Sequence, residues 1–213
     1  MKRLLCLICA LSLLLLTACT PADESSGTPV TDHKWKSEQN WAVTQTENGV
    51  QSVSIDAAGE ATAWYDAALP ENFTITTELK LLSAKGDTDC ARVIFRDASG
   101  NPCLTVTVEY VGTAHVQLRV DAFTNTGETD AIHGWKNLFI AEKWSKISDE
   151  DDLTLVICRT DADAFTVCLL QKGADLVSET AVSLDQRYLE LVHQAGVGTY
   201  DSHVRFTSFA IHE

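Results

Sequence analysis

The sequence predicts an all-β fold, an antiparallel sandwich of two packed sheets, and three observations predict it. Short runs of alternating apolar and polar residues, rich in β-branched and aromatic side chains, recur along most of the chain. Turn-forming sequences separate them. No long stretch has the spacing of an amphipathic helix; the one helical patch covers residues 185–193. Many short strands joined in this way bury their apolar faces best against a second sheet.

The chain opens on the positive pair Lys2-Arg3, an apolar run over residues 4–16, and the small residues Thr17-Ala18. That is the layout of an export signal, too short and wrongly flanked for a spanning helix. Cys19, directly after Leu16-Thr17-Ala18, resembles the cysteine of the bacterial lipobox, whose thiol takes a diacylglycerol. The resemblance implies a signal peptide over residues 1–18 and Cys19 as the lipidation site and mature N-terminus. It also implies a cell-envelope location outside the cytoplasm, with membrane contact through the lipid alone. Residues 19–32 are rich in Pro, Ser and Thr and poor in apolar groups, too little to offset ordering entropy. They are expected to be a flexible linker. Residues 33–213 then form one domain.

Within that domain the strand patterns fall at residues 51–55, 61–65, 73–82, 91–96, 103–110, 115–123, 153–159, 165–171 and 204–212. Turns are expected at Asp56-Ala57-Ala58-Gly59, at residues 97–102, at Val111-Gly112-Thr113 and at residues 160–163. Gly196-Val197-Gly198 is expected to begin a turn between strands. Residues 124–152 form the longest irregular region, and an edge strand is expected within it at about 135–140.

Composition narrows the function. The formal charge is −14, and loss of Lys2 and Arg3 with the signal deepens it by two. Such a chain repels nucleic acid and anionic head groups, stays soluble, and attracts cations, calcium among them. Of seven cysteines, Cys6 and Cys9 lie inside the signal, so their C-x-x-C spacing is not a redox motif. Cys90, Cys103, Cys158 and Cys168 remain. Their even number in an exported chain admits disulfides, but neither hairpin register sets a pair directly opposite, which favours reduced thiols.

Register arithmetic picks out a candidate binding face. If the turn after Arg96 sets it beside Cys103, Ile94 faces Thr105 and Arg92 faces Thr107. If Glu109 lies beside Gln117, Thr107 faces Arg119 and Thr105 faces Asp121. One side of this meander then carries Val93, Phe95, Leu104, Val106, Val108, Val116, Leu118 and Val120, the predicted core. The other carries Arg92, Arg96, Thr105, Thr107, Glu109, Gln117, Arg119 and Asp121, with Arg92 and Arg119 flanking Thr107 and Glu109 diagonal to both. Planar donors and acceptors of this kind suit sugar hydroxyls. The plain alternative is a solvated face with cross-strand ion pairs of about 0.2–1 kcal/mol each. Sugars also stack on aromatic rings. Trp135 and Trp144, in the irregular region, are the ligand candidates, whereas Trp41 and Trp64 are expected in the core.

Four segments stand out together: Phe73-Thr-Ile-Thr-Thr-Glu-Leu-Lys-Leu, the hairpin of Ala91-Arg-Val-Ile-Phe-Arg96 with Leu104-Thr-Val-Thr-Val-Glu-Tyr110, the hairpin at residues 153–157 and 165–170, and Gly196-Val-Gly-Thr-Tyr with Val204-Arg-Phe-Thr-Ser-Phe-Ala-Ile. With them, the pattern over residues 35–213 resembles the concanavalin A-like lectin/glucanase jelly roll, nearest its lamin-G-like subset with the 3-keto-disaccharide hydrolase-like domains. The resemblance implies a two-sheet jelly roll whose concave face takes carbohydrate.

Catalytic signatures are sparse. Glycosidases of this fold often carry E-x-D-x-E or E-x-D-x-x-E on one strand. Glu128-Thr129-Asp130 has only the first two acids and lies among loop residues. Glu78 and Glu109 sit on separate strands and could pair only across a cleft. Asp149-Glu150-Asp151-Asp152 lacks the spacing and glycine of a calcium loop and reads as a solvated acidic segment; a calcium site there or at Asp201-Ser202 is the lesser reading. The sequence thus favours a lipid-anchored, non-catalytic binding module with a glycan or an envelope protein as partner and no required cofactor. A glycan-processing hydrolase of the same fold and a structural protein-interaction module stand as alternatives.

Overall fold

A computed structural model describes residues 35–37, 42–47, 50–84, 88–112, 115–123, 135–161, 164–184 and 186–213. Its elements in chain order are β1 (Trp35–Ser37), β2 (Ala42–Glu47), β3 (Val50–Tyr65), β4 (Phe73–Ala84), β5 (Thr88–Arg96) and β6 (Pro102–Val111). There follow β7 (His115–Phe123), β8 (Trp135–Trp144), β9 (Leu153–Asp161), β10 (Ala164–Gln171), β11 (Ala174–Val182), the short helix α1 (Gln186–Leu191) and β12 (Gln194–His212). The predicted signal, Cys19, linker, Trp41 and the Glu128–Asp130 string lie outside the described residues.

All the pairings are antiparallel, and they form two layers that share two strands. One layer runs β11-β10-β9-β4-β12 and on through β3 to β2. The other runs from β3 through β12, β5, β6 and β7 to β8 at its edge. β12 achieves this by pairing with β5 over residues 194–199 and with β4 over 202–212. β3 follows beside it. Where the two strands pass between layers, their register slips between Tyr200 and Ser202. Gly59 (φ 91°) and Asp201 (φ 48°) hold positive φ there, and the Gly59 N–H donates to the Asp201 carboxylate at 2.5 Å. Such a bulge bends a strand without ending it. The turn expected at 56–59 is therefore a bend inside one strand of 16 residues.

Side chains from both layers meet in one core. Phe95 on β5 lies 5.9 Å from Phe73 on β4 and 6.3 Å from Phe165 on β10, ring centre to ring centre. The eight predicted core residues of the meander are all at 0% exposure. The predicted helical patch is α1, which presses Tyr188 and Leu189 into the core. Buried Arg159 donates from Nη1 to the Leu189 carbonyl at 2.9 Å, satisfying an acceptor near the end of the helix.

Further strand segments depart from the sequence reading, β1 and β2 among them, which precede the first expected strand. β11 was not expected: its ladder with β10 slips around Leu169, so adjacent Leu176 and Val177 are both buried and the alternation is broken. Gly196 and Gly198 do not begin a turn; they lie inside β12 between β3 and β5. Space explains them. A Cβ on Gly196 would fall 2.7 Å from Trp64 Cε3, and one on Gly198 would fall 2.7 Å from the Ala61 carbonyl oxygen.

Cys90, Cys103 and Cys168 are buried, Cys158 is partly buried, and all four are free thiols. Cys158 faces Thr166 and Cys168 faces Val156, so these two are not directly opposite. Burial raises Cys90 above the ordinary thiol range and pushes Cys103 up to about 12.

The acidic run is not uniformly solvated. Asp151 is buried, with Oδ2 accepting from the Ser148 N–H at 2.9 Å and Oδ1 2.8 Å from Lys172 Nζ. The Lys172 contact first, then the Ser148 N–H, holds its carboxyl down to about 2. Among the described residues no cluster of three or more His, Cys, Asp or Glu side chains could hold a metal.

Candidate functional site

The polar face of the β5–β8 layer forms because each of these strands turns alternate residues away from the core. Arg92 faces Thr107 and Ile94 faces Thr105. Thr107 faces Arg119, Thr105 faces Asp121 and Glu109 faces Gln117, all as the register arithmetic predicts. One pairing differs. Arg96 faces Pro102 and not Cys103, because the ladder slips between Phe95 and Arg96.

Arg119 is the hub. Its Nη1 donates to Glu109 Oε1 and Oε2 at 3.1 and 3.3 Å. Its Nη2 donates to Asp121 Oδ1 and Oδ2 at 3.3 and 3.2 Å. Asn137 on β8 adds a bond from Nδ2 to Asp121 Oδ1 at 3.0 Å. The Asp121 side chain is 5% exposed, that of Glu109 16% and that of Arg119 32%. Burial works against the Arg119 charge, but Asp121 and Glu109 outweigh it and raise its pKa above the ordinary guanidinium value. The long side chains cover the shorter ones: Thr105 and Thr107 are buried, and Thr105 Oγ1 donates to the Val93 carbonyl at 3.3 Å.

The other two predicted arginines turn elsewhere. Arg92 does not share Glu109; its Nη1 lies 3.4 Å from Glu60 on β3 and its guanidinium 5.5 Å over the Tyr200 ring. Arg96 lies 4.3 Å over the ring of Trp64, and its Nε donates to Gln194 Oε1 at 2.7 Å. Gln194 in turn donates from Nε2 to the Tyr65 carbonyl. Trp64 is buried as predicted, yet not in the inter-sheet core: by register it lies on the outer face, across Gly196 and beneath Arg96.

A second group gathers at the β7–β8 corner. Trp144 is 78% exposed and stacks on His115, with ring centres 5.0 Å apart and planes 22° apart. Gln117 Nε2 donates to Glu142 Oε1 at 3.0 Å, and His115 Nε2 lies 3.5 Å from Glu142 Oε2. Register sets Trp144 opposite His115, Glu142 opposite Gln117 and Ile140 opposite Arg119, so the corner and the Arg119 hub share one face. Sequence reasoning missed His115 and Glu142. The edge strand was expected near 135–140, and only its extension to Trp144 brings Glu142 beside β7. Trp135 lies at the far end of β8, opposite Phe123, nine positions or about 30 Å of strand from Trp144, so the two tryptophans do not make one site. Glu78 is exposed on β4 in the other layer. It and Glu109 occupy opposite outer faces and cannot pair across a cleft.

No family model and no curated protein matches this chain. Solved structures do. The chain is similar to the carbohydrate-binding module CBM66 from Bacillus subtilis, at 13% identity and TM-score 0.55, over 84% of this chain and 95% of that one. It is similar to a legume lectin-like domain from Entamoeba histolytica, at 7% identity and TM-score 0.57, over 85% and 89%. It is also similar to the exoplasmic/lumenal domain of VIP36 in its Ca2+/Man3GlcNAc-bound form, at 13% identity and TM-score 0.54, over 83% and 82%. At these identities the likeness shows the fold, a lectin-like jelly roll, and nothing finer.

Proposed function

We propose that this chain is a lipid-anchored envelope protein whose jelly roll binds glycan, without catalysis, on the outer face of β6, β7 and β8. The exposed Trp144, held flat by His115 beside the Gln117–Glu142 pair, carries the reading. A large aromatic left in water loses the benefit of burial, and an aromatic plate with polar neighbours is what a sugar ring needs: C–H groups stack on the ring and hydroxyls bond at its rim. The solved structures it is similar to, a carbohydrate-binding module and a legume lectin-like domain, support the same reading. The Lys2-Arg3 start, the apolar run and Cys19 support the anchor.

Two features favour binding over hydrolysis. A glycosidase needs two carboxylates free to act on either side of the scissile bond. Here Glu109 and Asp121 are joined to one guanidinium, and Asp121 is 4% exposed, closed to a substrate. A glycan array with the soluble domain tests the proposal. Wild type retains a subset of glycans, and Trp144→Ala and Gln117→Ala lose them with unchanged thermal midpoints. Retention unaffected by Trp144→Ala would remove this face from consideration. Palmitate labelling in a bacterial host, lost in Cys19→Ala, tests the anchor.

A further inference from the structure

We propose that the corner at Trp144 selects a sugar bearing a free protonated amine, an amino sugar in preference to a neutral, N-acetylated or uronic one. This rests on the glycan reading above and narrows it.

The inference comes from the charges around the plate. Glu142 lies two residues before Trp144 on the same face, about 7 Å along the strand. It is more than half exposed. Gln117 and His115 steer its carboxylate, each from one side, without burying it. The other acids on this strip, Glu109 and Asp121, are matched by one cation, Arg119, whose two Nη groups are both engaged by them. The β8 lysines do not offset the acids here: Lys143 faces Val116 and Lys136 faces Ala122, so both lie on the opposite side of the ribbon. Lys146 follows where the chain turns towards Gln171, whose Nε2 bonds its carbonyl.

A ligand stacked on the open side of Trp144 therefore meets a steered carboxylate, with the Arg119 guanidinium tied to Glu109 and Asp121, Lys136 and Lys143 on the other side of the ribbon, and Lys146 past the end of β8. A uronic or sulfated sugar would set like charges together on a chain already at −14. A neutral sugar gains stacking and ordinary hydrogen bonds. An ammonium group gains two further terms, a charge-assisted bond to Glu142 and attraction to the indole face. A charged hydrogen bond alone corresponds to roughly ten- to a hundredfold in affinity.

Titration calorimetry at neutral pH and low salt tests this with three oligomers of equal length and linkage: free-amine glucosamine, its N-acetylated form and glucose. The expected order is free amine first by ten- to a hundredfold, with added salt eroding the margin. Glu142→Gln should abolish the margin and leave only weaker, stacking-dependent binding. Equal or tighter binding of the N-acetylated or glucose oligomer, or a margin that survives Glu142→Gln, overturns the inference and leaves the glycan reading standing. If no glycan is bound by wild type, or binding ignores Trp144→Ala, both readings fall.

Discussion

Replacing Arg119 with methionine should destabilise the domain by about 2–3 kcal/mol at neutral pH. Removing one partner of a fully buried ion pair costs about 3–5 kcal/mol, whereas an exposed pair is worth 0–1. The Arg119 side chain at 32% exposure and Asp121 at 5% fall between those limits. The guanidinium answers two carboxylates at once, so its loss strands both Asp121 and Glu109, with only the Asn137 amide left on Asp121. Methionine keeps most of the stem, so lost packing is a small part of the effect. Urea denaturation at two pH values checks it. The deficit should narrow as pH falls into the carboxylate range, since protonation removes the stranded charges. Wild type keeps its Arg119 charge throughout, since a guanidinium stays protonated as pH falls. Adding Asp121→Asn and Glu109→Gln to the methionine variant should recover at least half the loss, by the double-mutant logic of coupled sites. An unchanged urea midpoint, or a deficit identical at both pH values, would show that Arg119 does not hold the Glu109 and Asp121 charges in place. The result also bears on binding assays, where Arg119→Ala confounds contact with stability and Trp144→Ala does not.

Other outcomes can be checked alongside. Gly198→Ala should cost about 1–3 kcal/mol in thermal or urea unfolding, because the new Cβ meets the rigid Ala61 carbonyl at 2.7 Å. Asp151→Asn should lower stability at neutral pH and flatten the acid limb of a pH titration. The folded carboxyl sits at about 2, below its ordinary value of 3.8, so its contribution is present above about pH 4 and disappears as pH falls through 2. In native protein a thiol reagent should label Cys158 first, with Cys90 and Cys103 reacting only on unfolding, as read by mass spectrometry of timed samples. Early labelling of Cys103 would contradict its burial.

The strands of the central meander were legible because alternation has a period of two and one face is buried. Once a turn sets one pair, every later partner follows, which is why Thr107 could be placed opposite Arg119 and the core side listed from sequence. The same rule fails where the ladder slips. Arg96 lands on Pro102, β11 buries two neighbours in a row, and the 56–59 segment bends where a turn was expected, each at a bulge that pattern counting cannot locate. Gly196 and Gly198 illustrate the same limit, since only the placement of Trp64 and Ala61 shows why no side chain fits.

By itself, then, the amino-acid order determined the β class, the antiparallel sandwich, the inward and outward sides of β5, β6 and β7, and the acidic character of the whole. These are local or pairwise properties of alternation and charge. The tertiary structure decided which polar residues act together: that Arg119 belongs to Glu109 and Asp121, that Arg92 and Arg96 are drawn away to Glu60 and Trp64, and that His115, Gln117, Glu142 and Trp144 meet at one corner. Those partnerships depend on side-chain reach across strands distant in sequence and on the length of an edge strand. The physical reason is that a long charged side chain has several neighbours within range, and only packing settles which of them it answers.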